Sequence, residues 1–191
     1  MRRPFLIAVL FLAALGAATS LRAFAQSAAP IATPNYATTA CSNPRLPVSI
    51  LGGSGPYQRG SALKTITLAA PAEKLTLAVA ATESDRELGL MCVTSLAPHH
   101  GMIFVFPSAA QQGFWMKLTL ISLDMVWLAP DGVVTSVAAN VPASTLDTSE
   151  KSVARRYGQG QYVVELRAGE AQSDGIKKGV KLSLPVLHGA N

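Results

Sequence analysis

From Lys64 to Thr82 the chain alternates between apolar and polar positions. Ile66 and Leu68, then Leu75, Leu77 and Val79, recur at period two around the turn-forming run AAPAE. That pattern predicts a hairpin of two strands. At Thr82 the period changes. Thr82 is placed to cap a short helix, with Asp85 in the capping-box position three residues on. Leu88 and Met91 then face inward, and Gly89 keeps the helix short. GMIFVFP (101–107) reads as a strand ended by Pro107, and APDG (129–132) as a turn between two strands. VVTSVAANV (133–141) and QYVVELRA (161–168) are two more strands. GEAQSDGIKKG (169–179) is a helical turn or loop, and VKLSLPVL (180–187) closes the pattern. Short strands separated by Gly, Pro and Asp turns predict a mainly-β fold. The expected architecture is a β-sandwich or partly open barrel with one or two short helices.

The run GFWMKLTLISLDMVWLAPDG (113–132) needs a separate account. It is apolar and aromatic, yet it holds Lys117 and Asp124. Phe114, Met116, Leu118 and Leu120 are apolar at even positions, whereas Leu123, Met125 and Trp127 are apolar at odd ones. A strand alternates strictly, so the switch requires an inserted residue. The phase predicts a β-bulge or kink at Ile121–Leu123. Trp115, Lys117, Thr119 and Asp124 would then share one face. Such a face is either a polar pocket or a half-solvated sheet surface with an ordinary cross-strand ion pair.

Composition changes the picture mainly at the N-terminus. Arg2 and Arg3 precede an apolar segment from Phe5 to Ala18, too short for a comfortable membrane span, and Ala23-Phe24-Ala25 follows. This is the layout of a secretory signal peptide over 1–25, cleaved after Ala25, and it predicts a periplasmic or secreted protein; an uncleaved membrane anchor is the alternative. The partial RRPFL motif leaves the twin-arginine route open beside the general one. The chain of 191 residues carries a formal +5. Without Arg2, Arg3 and Arg22 it carries 13 basic against 11 acidic side chains, a formal +2. Nucleic-acid binding thus loses its compositional support. No second span follows the signal. Residues 26–62 are rich in Ala, Ser, Thr, Pro and Gly and read as a flexible arm. A single domain is expected over 63–188.

ESDRELGLM, GMIFVFP, FWMKLTLISLDM and YVVELRAG, in this order and spacing, resemble the family known as domain of unknown function 192. The resemblance runs from about Leu75 to Leu184. It implies a mainly-β sandwich of jelly-roll type, often exported in bacteria, without an established biochemical activity. The family's motif positions fall on Arg86, Gly89, Met91, Gly101, Met102, Phe104, Phe114, Trp115, Met116, Lys117, Thr119, Leu123, Asp124 and Glu165. The chain departs from the pattern at Leu118 (usually Asn), Ser122 (usually Pro), Cys92 (usually aromatic) and Ala143 (usually Pro). A proline at position 122 suits a bulge.

Candidate chemistry is sparse. Asp124 and Glu165 could act as paired carboxylates, with Lys117 or Arg86 holding an anion. The alternative is a structural ion-pair network. No GxSxG, HExxH or CxxC motif is present. His99, His100 and Met102, with Met91, Met116 and Trp115, form a soft set suited to Cu(I). Adjacent histidines point apart in a strand, however, and methionines at core-facing positions serve as packing. No metal and no cofactor is therefore assigned. Cys41 and Cys92 are the two cysteines of an expected exported chain and could form one disulfide pinning the arm to the helix end. The leading expectation is a non-enzymatic, envelope-associated binding module. Its small-ligand pocket would involve Arg86, Trp115, Lys117, Thr119, Asp124 and Glu165. A hydrolase or lyase acting on a small anionic or carbohydrate-like compound through Asp124 or Glu165 is the first alternative. A scaffold for protein contacts is the second.

Overall fold

The computed structural model describes residues 63–145, 147–185 and 187. β1 (Thr65–Ala69) and β2 (Lys74–Ala80) form the expected antiparallel hairpin. Its turn is closed by the Ala70 N–H donating to the Glu73 carbonyl at 2.8 Å. α1 (Glu83–Leu88) follows, with the full capping box. The Asp85 N–H donates to Thr82 Oγ1 at 3.1 Å, and the Thr82 N–H donates to Asp85 Oδ2 at 3.4 Å. Gly89 ends the helix at φ 47°, a region that an L side chain rarely occupies.

β3 (His100–Trp115) runs parallel to β2, with α1 and its trailing loop making the connection that parallel neighbours require. β4 (Leu123–Leu128) and β5 (Val134–Val141) pair antiparallel. β6 (Arg155–Arg167) lies between β3 and β4, antiparallel to both, and α2 (Glu170–Ser173) follows it. The mainly-β expectation with short helices holds. Its six strands make one open mixed sheet in the order β1-β2-β3-β6-β4-β5.

Both faces of this sheet are covered. Every residue of β4 is buried. One face carries Leu123, Met125 and Trp127 from β4, Met102 and Phe104 from β3, and Val163 from β6. Leu88 to Val93, Leu96, Met116 and Val153 cover it. The other face carries Val126, Leu128, Val164 and Leu166, covered by Ala171, Ile176 and Leu182. A strand buried on both faces loses the simple alternation of an outer strand. This is why β4 reads as a continuous apolar run.

Two expectations are corrected. Pro107 does not end its strand, because β3 continues to Trp115. The register with β6 shifts between Val105 and Ala110, so Pro107 sits at an irregularity where its missing N–H costs no ladder bond. The run at 113–128 is not one bulged strand either. β3 ends at Trp115, residues 116–122 form a connection, and β4 begins at Leu123. The Thr119 N–H donates to the Met116 carbonyl at 3.0 Å, and Leu118 lies at φ 53°. The parity switch thus marks a change of strand. A bulge does occur nearby, on β5. Leu123 pairs with Val141 and Met125 with Ala138, leaving an extra residue on β5 opposite Asp124. The signal segment, the arm and Cys41 lie outside the described residues.

Candidate functional site

The residues expected to form one site are dispersed. Lys117 and Trp115 do meet. Lys117 Nζ lies 5.0 Å from the centroid of the Trp115 ring, and Arg155 Cζ lies 5.9 Å from it. Glu150 bridges the two cations, at 3.1 Å from Lys117 Nζ and 3.1 Å from Arg155 Nη2. The indole and its two cations form a half-exposed cluster at the end of the β3–β6 pair. Glu150 and Arg155 carried no motif signal. They arrive because Trp115 pairs with Arg155 and a 3₁₀ turn at Glu150–Ser152 precedes β6.

Asp124 does not face Lys117. It is fully buried, and both its oxygens accept backbone N–H groups: Oδ1 from Asn140 at 2.8 Å and Oδ2 from Ala171 at 2.9 Å. The first donor belongs to the β5 bulge, the second to α2. Asp124 therefore ties two chain segments to β4, and neither oxygen is idle. Arg86 is likewise occupied. Its Nη1 donates to the carbonyls of Ala81 and Val105, the latter at 2.9 Å, and its guanidinium lies 5.2 Å from the Phe106 ring centroid. Thr119 is buried in the 116–122 connection, its carbonyl accepting the Ser144 N–H at 2.9 Å.

Glu165 lies on the opposite sheet face from Asp124, on the side of Val163, so the two do not form a carboxylate pair. It is 4% exposed, and burial in apolar surroundings pushes its carboxyl up to about 8. Glu165 is thus a neutral acid at pH 7. His99 and His100 do not converge on Met102. His99 Nδ1 lies 3.1 Å from Asp174 Oδ2, and the His99 N–H donates to Glu170 Oε1 at 2.9 Å. The hydrogen bond to Asp174, together with the field of nearby carboxylates, raises the His99 pKa above its ordinary 6.5. His100 Nδ1 lies 2.8 Å from the Pro98 carbonyl oxygen.

A shallow, largely open groove of about 610 Å³ lies elsewhere, between the first half of β5 and the first half of β6. Val133 to Ser136, Tyr157 to Gln159, Lys178 and Gly179 line it. Tyr157 is 64% exposed, unusually open for a large ring. Thr135 Oγ1 donates across the groove to the Gln159 carbonyl. Gly158 makes close approach possible here, since a Cβ on it would lie 2.4 Å from Trp127 Cδ2. The sequence pattern starts this strand only at Gln161 and so leaves GQG (158–160) outside it; the structure places both glycines within β6, where a missing side chain lets another group come close. Gly158→Ala is expected to destabilise the fold by about 1–3 kcal/mol through overpacking against the indole. Denaturant unfolding measures this, and an unchanged midpoint would contradict the close contact.

The sequence model of the domain-of-unknown-function 192 family, described as "Uncharacterized ACR", matches residues 65–184. The chain belongs to this family. No curated protein matches it. Two crystal structures resemble this member. One is a Sinorhizobium meliloti 1021 protein proposed to be a transcription regulator, at 28% identity and TM-score 0.58, covering 64% of this chain and 95% of that one. The other is a protein of unknown function from Novosphingobium aromaticivorans DSM 12444, at 27% identity and TM-score 0.54, covering 71% of this chain and 96% of that one. Among the described residues of this family member, no helix is long and apolar enough to cross a membrane.

Proposed function

We propose that this chain is an exported, non-enzymatic binding module that holds a small organic ligand in the groove between β5 and β6. The groove itself carries the reading. Its volume, about 610 Å³, falls within the range of small-molecule sites. An exposed phenol, the Thr135 hydroxyl, the Gln159 amide and the Lys178 ammonium offer a ring platform, polar contacts and a positive charge. The catalytic alternative is less well supported. Both oxygens of Asp124 are taken by backbone N–H groups, and Glu165 does not line the groove.

Saturation-transfer NMR on the mature domain against a panel of sugars and organic acids tests the reading. A hit should be lost in Tyr157→Ala and in Lys178→Ala, both at surface positions that tolerate change. Hits that survive both substitutions would overturn the groove assignment.

Export is part of the same proposal and rests on the N-terminal pattern. In an oxidising compartment Cys41 and Cys92 are expected to pair, adding about 2–4 kcal/mol of stability. Cys92 is buried just beyond α1. Non-reducing peptide mapping of protein from its native envelope should give a mature N-terminus at Gln26 and a Cys41–Cys92 cross-linked peptide. A retained Met1 would refute cleavage, and two alkylatable thiols would refute the bond.

A further inference from the structure

The buried Glu165 does not line the groove, and its surroundings are chemically distinctive. In the sheet it stands directly opposite Met102 on β3 and directly opposite Met125 on β4. Residues directly opposite in antiparallel neighbours project to the same face, with Cβ atoms about 4.5–5.5 Å apart. The carboxyl is therefore flanked on both sides by thioether chains. No hydrogen bond or ion pair to another described residue compensates it, and burial is the sole cause acting on it.

The methionines supply the second observation. The chain has five, and apart from Met1 all of them belong to the same buried cluster: Met91, Met102, Met116 and Met125. The core on the other sheet face has none. Packing alone does not require this division, because Leu and Ile fill the second face adequately.

We propose that Glu165, Met102 and Met125 form a binding site for a soft monovalent cation, Cu(I), with a further thioether supplied from the cover by Met91 or Met116. Thioethers favour Cu(I) over harder metals. Cu(I) uptake displaces to solvent the proton that Glu165 holds at pH 7, so one carboxylate then matches one positive charge and the loaded site is neutral, which suits a low-dielectric interior. A divalent ion would bring an uncompensated charge there. His99 and His100 take no part, being engaged with Asp174 and the Pro98 carbonyl.

The test is an anaerobic titration of the purified mature protein with Cu(I) in competition with a chromophoric Cu(I) chelator, repeated with Ag(I) by calorimetry. One equivalent should bind, while Zn(II) should not compete. The Met102→Leu/Met125→Leu double variant, close to volume-conserving and so expected to fold, should lose about a hundredfold or more in affinity. Glu165→Gln should lose about tenfold. A 13C-methyl spectrum of the unsubstituted protein gives a check independent of any variant, since Ag(I) should shift the Met102 and Met125 methyl signals. Failure to withdraw Cu(I) from the chelator would overturn the proposal. So would binding that survives the double substitution, or methionine methyl signals that do not move.

Discussion

Replacing Asp124 by Ala is expected to lower folding stability by about 3–5 kcal/mol, the largest single-residue effect at any of the expected site positions. Two hydrogen bonds to its carboxyl oxygens disappear, at 2.8 Å from Asn140 and 2.9 Å from Ala171. The donors stay behind without their acceptor, and the Ala171 bond is wholly interior. An unsatisfied buried N–H costs more than the mean worth of the bond it lost. Asp124→Asn keeps one carbonyl oxygen as acceptor, so it should lose roughly half as much. Equilibrium unfolding in urea measures both variants. If Asp124→Ala cost less than about 1 kcal/mol, the carboxylate could not be the tie between the β5 bulge, α2 and β4. This result would also separate scaffold from site, since a ligand-binding Asp124 should be nearly neutral for stability.

The second large effect is a loss of stability with rising pH, carried by Glu165 in metal-free protein. Its carboxyl titrates near 8 in the fold and at about 4.5 when unfolded. A raised folded-state pKa means that the contribution is complete below 4.5 and is lost as pH climbs through 8. Between those limits the unfolded chain gives up its proton and the folded chain keeps it. The total loss is on the order of 4–5 kcal/mol from a shift of this size. Glu165→Gln removes this titrating group, so its stability should decline clearly less than the parent's over the same range, keeping only the decline that the raised pKa of His99 brings. Urea unfolding at several pH values between 5 and 9, with chelator present, gives the comparison. Parallel curves for parent and variant would falsify the neutral-acid assignment.

Local rules carried much of the architecture. The β1–β2 hairpin, the Thr82–Asp85 capping box, the Gly89 stop and the 129–132 turn all follow from contacts within a few residues. They were legible because turn chemistry and capping are short-range. The parity switch near Ile121 was also real, but alternation records only that the facing set changes. A bulge and a break between strands leave the same trace, and the pairing partners decide between them. β6 entering between β3 and β4, after an excursion of more than twenty residues, ends one strand at Trp115 and starts the next at Leu123.

The candidate site was less legible for the same reason. Motif residues stand out because they are chemically unusual in an apolar run, yet that does not tell a binding group from a structural tie. Arg86 and Asp124 are spent on backbone carbonyls and N–H groups contributed by other segments. Lys117 finds Glu150, thirty-three positions away, and stacks on Trp115.

What the sequence determined by itself was the family, the mainly-β class, the hairpin and capped helix, and the expectation of export. Each rests on adjacent residues or on an ordered pattern of motifs. Tertiary structure alone decided that Asp124 and Glu165 lie on opposite faces, that Glu165 is set between two methionines, and that a groove opens beside Tyr157. Side-chain facing depends on which strands become neighbours and in which register. That choice is made by long-range burial of both sheet faces together, a quantity no local stretch of the chain contains.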